Sequence, residues 1–345
     1  MSLHSEIIEQ PERINHLLTS QRKAVVQIAA AIKKRDIQYV FLAARGTSDN
    51  AGRYANYLWG SHNRLPVALA APSLFTFYAA PPKLHGALVV GVSQSGQSPD
   101  IVSVLEEGRR QGCPTLAITN EAESPLAEAA EFVIEIMAGE ERAVAATKTY
   151  TAELMAIAML STALDEDTQA QEALGRLPGW VLQALDLDAS IAVLAERYRD
   201  MSRCVVIGRG YNYATAFEWS LKLKELTYVV AEPYSPADFL HGPIAMIEHG
   251  FPVLAVAPAG RVFEDVLALL ERLRRELRAE LLVISDKARA LEIAQSPLQL
   301  PEGIPEWLTP LVAIVPAQLF AYHLTLAKGY DADSPRQIQK VTETH

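Results

Sequence analysis

Serine hydroxyls are concentrated between an apolar run and the start of a helix, in residues 87–100. This stretch reads Ala-Leu-Val-Val-Gly-Val-Ser-Gln-Ser-Gly-Gln-Ser-Pro-Asp. Its apolar half is typical of a strand that is buried on both faces of a parallel sheet. Its polar half predicts a helix with Ser98 as the N-cap, Pro99 as the first residue and Asp100 in the first turn. We expect an anion to bind in this turn, at Ser93, Gln94, Ser95 and Ser98.

The turn at residues 93–98 has the features of a phosphate cradle. Backbone N–H groups and the positive end of a helix dipole favour an anion there, and hydroxyls add donors. The turn has neither the lysine of a P-loop nor the spaced glycines of a dinucleotide-binding turn. We therefore expect a small phosphate ester, bound without a metal. The alternative is an ordinary turn that binds nothing, because such turns are often rich in serine and glycine. A second hydroxyl-bearing turn, with Thr47 and Ser48, follows an earlier predicted strand.

A second group of reactive side chains lies on a helix predicted for residues 213–228. Glu218, Lys222 and Glu225 are spaced i, i+4 and i+7, so they share one helix face. The alternative is a solvated stripe of charges. His241 follows in a loop rich in proline and glycine, and loops at sheet ends are where catalytic groups collect. The alternative for this histidine is a structural role.

The composition is that of a soluble globular protein, with 345 residues of which 50% are hydrophobic and 21% charged. The net charge of −10 argues against a general nucleic-acid binder, whose affinity depends on basic surface. Residues 311–327 form the most apolar late segment, but Pro316, Gln318 and His323 interrupt it. This pattern predicts a buried helix and no membrane span. The N-terminus has no signal-peptide pattern.

The cysteines indicate a cellular compartment and argue against a metal site. Cys113 and Cys204 lie far apart in the sequence, which favours a reduced, cytoplasmic protein with buried thiols. No cluster of cysteine and histidine has the sequence spacing of zinc ligands, so we expect no zinc.

The sequence indicates a tandem duplication of one α/β domain. Predicted strands and helices alternate, which indicates parallel sheets with helices on both sides. Arg209 lies 164 residues after Arg45, and Gly260 lies 164 residues after Gly96, in matching strand-to-helix turns. The predicted fold class is α/β, with two tandem doubly wound parallel-sheet domains of the three-layer, flavodoxin-like kind. The turn at Gly260 has lost the hydroxyls, so we expect one half to bind phosphate and the other to supply chemistry.

The predicted domain boundaries give a helical arm at residues 1–35 and a phosphate-binding domain at residues 36–165. A second domain, with the reactive helix and loop, covers residues 190–328, and a tail at residues 329–345 closes the site. Lys340 lies near the end of this tail. The alternative for this lysine is a place in a frayed terminus.

Taken in order, the motifs resemble the sugar isomerase (SIS) family over nearly the whole chain. The similarity is to the isomerase half of glucosamine-6-phosphate synthase. No glutaminase domain precedes the motifs, so the chain resembles most closely the stand-alone, SIS-type glucosamine-6-phosphate deaminase. The matching motifs are Arg45-Gly46-Thr47-Ser48, Ser93-Gln94-Ser95-Gly96, Val144-Ala145-Ala146-Thr147-Lys148, Leu221-Lys222-Leu223-Lys224-Glu225, Leu240-His241-Gly242-Pro243 and Asp333-Ser334-Pro335-Arg336 through Lys340-Val341-Thr342.

The resemblance implies roles for the matched residues. His241 would open the sugar ring, and in related enzymes it comes from the partner subunit, so the active unit would be a homodimer. Glu225 would carry a proton between C1 and C2, with Glu218 and Lys222 beside it to orient the open chain and modulate its basicity. Lys340 matches a lysine that forms a Schiff base in the synthase; in a deaminase it would only close over the substrate. The sugar phosphate would be held by Thr47, Ser48, Ser93, Gln94, Ser95 and Ser98, and by a substrate-binding loop with Val144 and Ala145.

The function predicted from this resemblance is deamination of glucosamine-6-phosphate to fructose-6-phosphate and ammonia. It needs no metal and no organic cofactor. The nearest alternatives are another ketosamine-phosphate deglycase and a plain aldose–ketose phosphosugar isomerase. An alternative of another class is a non-catalytic regulator that binds sugar phosphates, which would keep the serines but need neither Glu225 nor His241.

Overall fold

The computed structural model describes residues 2–340. Internal contacts divide them into two units. The N-terminal unit contains residues 12–142, 148–176 and 339–340, and the C-terminal unit contains residues 2–11, 143–147 and 177–338. Val341 and Thr342, which end the last predicted motif, lie outside the described residues.

A five-stranded parallel sheet forms the centre of the N-terminal unit. Tyr39 pairs with Ala87 across the first and third strands, which places the carboxyl ends of these strands side by side. The third strand is buried along its whole length, as its unbroken apolar sequence predicts. The strand order is β2-β1-β3-β4-β5, with β1 Tyr39–Ala43, β2 Val67–Leu69, β3 Ala87–Val92, β4 Thr115–Thr119 and β5 Phe132–Glu135.

The C-terminal unit repeats this sheet. Its strand order is β7-β6-β8-β9-β10. Counted from the first strand of each unit, this is the same order as in the N-terminal unit, and all strand pairs are parallel. The predicted α/β fold with two doubly wound parallel sheets is therefore confirmed. The strands are β6 Arg203–Ile207, β7 Val230–Tyr234, β8 Pro252–Val256, β9 Glu280–Ser285 and β10 Ser296–Gln299.

Helices cover the two faces of these sheets because their apolar stripes must be buried. The helix α5, for example, turns Ile101, Val104 and Leu105 toward the sheet core. The helices are α1 Leu3–Ile8, α2 Gln10–Ile32, α3 Gly46–Ser61, α4 Ser73–Thr76, α5 Pro99–Arg110, α6 Pro125–Ala129, α7 Lys148–Asp165, α8 Thr168–Leu185, α9 Asp188–Glu196, α10 Tyr213–Lys222, α11 Pro236–Leu240, α12 Phe263–Arg275, α13 Ala288–Glu292 and α14 Thr309–Ala327.

The apolar segment near the C-terminus is a core helix. Among the described residues, the stretch Glu306–Ala327 is long and apolar enough to cross a membrane, but 83% of its most apolar window is buried inside the protein. Pro316 lies inside this helix. This burial agrees with the predicted buried helix.

The two copies of the domain differ at the turn after their third strand. In the first copy this turn carries the serines. In the second, a β-carbon added to Gly260 would lie 2.3 Å from Cδ of Glu306, so a carboxylate side chain packs closely against this glycine.

Candidate active site

The hydroxyl-bearing turns of the N-terminal unit lie at the switch point of its sheet. The chain leaves β1 into α3 and leaves β3 into α5, and these two strands are neighbours in the sheet. In doubly wound folds, ligands bind at the carboxyl ends of such a strand pair, because the two connections diverge and leave a crevice. The topology therefore places Thr47 and Ser48 at the same sheet edge as the turn at residues 93–98.

The turn at residues 93–98 is organised by its own side chains. Ser93 Oγ accepts a hydrogen bond from the Gly96 N–H over 3.2 Å, and Ser95 Oγ accepts from the Gln97 N–H over 3.3 Å. Gly96 has φ +62°, and a β-carbon there would lie 2.1 Å from the hydroxyl oxygen of Ser124. This position therefore requires glycine, both for its backbone conformation and for the close approach of the next turn.

The helix α5 begins as predicted, but the side chain of its N-cap residue makes no capping hydrogen bond. Ser98 is the N-cap, Pro99 the first helical residue, and Asp100 lies in the first turn. The Ser98 hydroxyl makes no capping hydrogen bond, so the first-turn N–H groups have no side-chain acceptor from the N-cap. An anion in the turn can take that place, because these N–H groups carry the positive end of the helix dipole.

Arg45 and Asp100 join the two turns. The Arg45 Nε donates to Asp100 Oδ2 over 2.7 Å, and the Asp100 side chain is fully buried while that of Arg45 is half exposed. The buried Ser48 hydroxyl donates to Glu153 Oε1 over 2.7 Å, so this serine is tied to α7. Neither Arg45, Asp100 nor Glu153 was singled out as a site residue from the sequence.

The three charged residues of the C-terminal unit form one cluster. Lys222 Nζ lies 2.5 Å from Glu225 Oε2 and 3.4 Å from Glu218 Oε1. The side chains of Glu218 and Lys222 are 0% and 1% exposed, whereas that of Glu225 is 24% exposed. The cluster is therefore not the solvated stripe of charges that the spacing alone also allowed. Glu225 is the member that a solvent-borne substrate can reach.

The helix that carries this cluster changes its winding at Lys222. The α-helix α10 ends there, and Leu223–Thr227 forms one wider, π-helical turn before Tyr228, which has a positive φ of 58°. The prediction of a continuous helix over residues 213–228 is correct in length but not in winding. Single π-helical turns are found often at functional sites, because they shift the residues that follow without ending the helix.

The tail contacts the end of this helix. The Arg336 guanidinium lies 3.7 Å from the centre of the Tyr228 ring, and the Arg336 N–H donates to the Tyr228 hydroxyl over 2.9 Å. Asp333 Oδ1 accepts from the Leu3 N–H over 2.6 Å. The Asp-Ser-Pro-Arg motif is therefore ordered against its own unit.

His241 is exposed at the end of α11. Its N–H caps that short helix by donating to the Asp238 carbonyl over 3.2 Å, and Gly242 follows with φ +142°. The structure thus puts the histidine on the surface of the single chain.

The loop with Val144 and Ala145 lies in the C-terminal unit. Ala145 is buried and Val144 is half-buried. The loop is held at both ends, since Glu6 Oε2 accepts from the Ala143 N–H over 3.2 Å and Gln318 donates to the Thr147 carbonyl over 3.3 Å.

Lys340 forms an ion pair with a residue that the sequence did not single out. Its Nζ lies 2.7 Å from Glu141 Oε2, and the Glu141 side chain is 0% exposed. The same carboxylate accepts from the Thr149 hydroxyl over 2.7 Å. The structure therefore gives this lysine a buried carboxylate as its partner. Its partner lies 199 residues away in the chain, so no local pattern could have revealed it.

Comparison with known proteins agrees with this geometry. The SIS domain model matches residues 35–163 and 197–328, which is one match for each sheet. The chain belongs to the SIS domain family. The resemblance seen in the motifs is thereby confirmed, and each half of this SIS protein corresponds to one copy of the domain.

The sequence relatives are longer than this SIS protein. Glutamine–fructose-6-phosphate aminotransferase (isomerizing) of Pyrococcus horikoshii is 32% identical over 97% of the chain and 56% of its own length. The enzyme of the same name from Thermus thermophilus is 33% identical over 97% of the chain and 57% of its own length. The chain thus spans little more than half the length of these relatives.

Solved structures of similar length give the same fold. A protein from Silicibacter pomeroyi described as a candidate phosphosugar isomerase is 33% identical, with a TM-score of 0.86 over 96% of this chain and 99% of that one. Glucosamine-6-phosphate deaminase from Thermotoga maritima is 20% identical, with a TM-score of 0.79 over the full length of both chains. At that identity the second likeness concerns the fold alone.

Proposed function

We propose that this SIS protein is a phosphosugar deaminase-isomerase whose substrate is glucosamine-6-phosphate and whose products are fructose-6-phosphate and ammonia. The observation that carries the proposal is the cluster around Lys222, in which the buried ammonium pairs with the buried Glu218 and with the accessible carboxylate of Glu225. Such a carboxylate suits proton transfer at carbon, which is the step common to aldose–ketose isomerisation.

The phosphate is assigned to the cradle of the N-terminal unit. The hydroxyls of Ser93, Ser95 and Ser98 and the amide of Gln94 come directly before a helix whose first N–H groups lack a side-chain cap. Thr47 and Ser48 lie at the same sheet edge. Neutral donors and a helix dipole can hold a phosphate dianion with little net positive charge, which agrees with the acidic composition.

The reaction balances with one base and one water. His241 moves a proton from O1 to the ring oxygen as the pyranose opens to the C1 aldehyde. Glu225 then takes the C2 proton while O1 gains a proton from solvent, which gives the enolamine. Glu225 returns its proton to C1, and the resulting iminium loses one N–H proton to solvent, which leaves an imine at C2. Water adds to this imine, and ammonia leaves with the proton it needs, so that a ketone remains at C2. Lys222, which also pairs with Glu218, keeps Glu225 in place during both transfers.

His241 is assigned to catalysis across a homodimer. Its exposure in the single chain supports delivery to the site of a second copy. Val144 and Ala145 are assigned to sugar binding, and Lys340 to closing over the bound substrate. A cytoplasmic location is part of the same proposal and is supported by two cysteines that form no disulfide.

The test is ammonia release from glucosamine-6-phosphate by the purified wild-type protein and by Glu225→Gln. Wild type should release one ammonia for each fructose-6-phosphate formed. The variant should lose about a thousandfold in kcat, since a positioned general base contributes roughly 10²–10⁴-fold. A matched control is Glu232→Gln, an exposed carboxylate of the same unit, which should leave kcat unchanged.

A second measurement separates binding from chemistry. Glucose-6-phosphate and glucosamine-6-phosphate should both raise the thermal midpoint of wild type, and Ser95→Ala should reduce this shift. Absence of ammonia with a preserved shift would reject the deaminase and leave a phosphosugar isomerase or a sugar-phosphate sensor. Interconversion of aldose and ketose phosphates without ammonia would then identify the isomerase.

A further inference from the structure

Two histidines and one aspartate that the proposed reaction does not use converge in the C-terminal unit. His4 Nε2 lies 2.9 Å from Asp188 Oδ2, and His323 Nε2 lies 2.6 Å from Asp188 Oδ1. The three residues come from the helices α1, α9 and α14. One ligand atom from each can be chosen so that all three lie within 4.8 Å of one another, and among residues 2–340 this is the one cluster of three or more such ligands.

The donor set is that of a transition-metal site. Two imidazoles and one carboxylate bind Zn²⁺, Co²⁺ or Ni²⁺ well, whereas Mg²⁺ and Ca²⁺ prefer oxygen ligands. Tetrahedral zinc with bonds of about 2.0–2.1 Å keeps neighbouring ligand atoms roughly 3.4 Å apart. The histidine–aspartate pairs are shorter than this by less than about 1 Å, so small side-chain shifts would admit the ion.

The surroundings orient the rings and leave a path for the ion. The Tyr322 ring stacks on His4 with centroids 4.9 Å apart, and it meets the edge of His323 at 5.0 Å. The side chains of His4, Asp188 and His323 are 32%, 29% and 14% exposed. An ion can therefore enter from solvent, and water can complete its coordination.

The cluster also connects distant parts of the chain. Leu3, next to His4, donates its N–H to Asp333, which opens the tail motif. An ion held by α1, α9 and α14 would therefore fix the N-terminal helix beside the start of the tail. Because such a site exists only in the folded chain, the binding free energy would add to the stability of the C-terminal unit.

We propose that His4, Asp188 and His323 form a structural binding site for a divalent transition-metal ion of the zinc type. The spacing of histidines and cysteines along the sequence had predicted no zinc site, because the three ligands are brought together by tertiary structure alone. The proposal is independent of the deaminase function, since none of the three residues takes part in the proposed reaction.

The test uses full-length protein with a native N-terminus and no histidine tag, stripped with a chelator and dialysed. Titration with ZnCl₂ should give one saturable site, and Zn²⁺ but not Mg²⁺ should raise the thermal midpoint. His4→Gln and His323→Gln should each weaken Zn²⁺ binding by about 100-fold or more, beyond the roughly 10–100-fold typical of losing an outer-sphere partner. The exposed His249 of the same unit provides the control His249→Gln, which should bind like wild type.

A spectroscopic measurement on wild type removes the dependence on variants. Co²⁺ added to the stripped protein should give visible absorption bands of a four- or five-coordinate ion, and Zn²⁺ should abolish them at one equivalent. The proposal is wrong if stripped wild type binds no Zn²⁺ at a one-to-one ratio, or if the double variant His4→Gln/His323→Gln binds as tightly as wild type. In the first case the cluster is a hydrogen-bonded group with no metal.

Discussion

Arg45 donates to the fully buried carboxylate of Asp100 over 2.7 Å, and this ion pair joins the two hydroxyl-bearing turns of the N-terminal unit. The second copy of the domain repeats it with Arg209 and Asp265 at 2.6 Å, although Asp265 is half exposed there. Tandem duplication thus supplies an internal control. An ion pair of this kind exists once beside a proposed phosphate site and once beside a turn against which Glu306 packs.

The first prediction compares these two pairs. Arg45→Gln should lower the free energy of unfolding by about 1–3 kcal/mol, because it removes the cation from a buried carboxylate. The loss is smaller than for a fully buried pair because solvent screens the half-exposed arginine. Arg209→Gln should cost under about 1 kcal/mol, as for surface pairs. Urea denaturation measures both. Equal losses would mean that burial of Asp100 does not make its pair the stronger one.

The second prediction separates stability from catalysis in the cluster around Lys222. Lys222→Met removes the ammonium beside the fully buried Glu218 and should cost about 3–5 kcal/mol as well as the activity. Glu225→Gln should cost under about 1 kcal/mol, because the side chain is partly exposed and an amide oxygen can still accept from Lys222. Denaturation and ammonia release are measured on the same preparations. A stable, active Lys222→Met would contradict the assigned role of the cluster.

The third prediction concerns Lys340. Its Nζ is paired with the buried Glu141 at 2.7 Å, and this pair must break before the amine can attack a ketose carbonyl. We expect that borohydride added during turnover traps no sugar adduct on Lys340, and that Lys340→Ala raises KM more than it lowers kcat. Mass spectrometry of the C-terminal peptide shows whether Lys340 carries a sugar adduct, and steady-state kinetics measures the changes in KM and kcat. An adduct on Lys340 would establish a Schiff base.

The fourth prediction concerns alkaline pH. Burial raises the pKa of the Cys204 thiol from its ordinary value of 9.0 to about 12. Since the thiol loses its proton more readily in the unfolded chain, its contribution to stability is complete below about pH 9 and is lost as the pH rises from about 9 towards 12. Cys204→Ala should therefore make the loss of stability over this range shallower, as measured by urea denaturation at a series of alkaline pH values.

The less buried Cys113 provides a comparison that tests the burial of Cys204. Burial also raises the pKa of Cys113, but this thiol is only half-buried and accordingly more accessible. In the native protein, a thiol reagent should react with Cys113 before Cys204, which should react only on unfolding. Rapid reaction of Cys204 in native buffer would contradict its placement in the core.

Much of the cradle was predictable because it is encoded locally. The apolar run of β3, the helix start at Ser98 and Pro99, and the glycine at position 96 are close together in the sequence. The cluster of Glu218, Lys222 and Glu225 was predictable for the same reason, since helical spacing alone brings them together. The π-helical turn was not, because nothing in residue type distinguishes it from an α-helical turn.

The partners of these residues came only from the tertiary structure. Ser48 meets Glu153 across 105 residues, and Lys340 meets Glu141 across 199. Residue types near Glu141 and Glu153 give no sign of these contacts. The serine and lysine were predicted, but what holds them was not.

The sequence by itself determined the repeated α/β plan, the hydroxyl turn and the charged helix face, because hydrophobic periodicity, caps and spacing act over a few neighbouring residues. Tertiary structure alone decided that Glu306 packs against Gly260 in the second turn, and that His4, Asp188 and His323 meet at one point. Packing of helices on a sheet brings together residues that are far apart in the chain, and local patterns carry no record of which ones will meet.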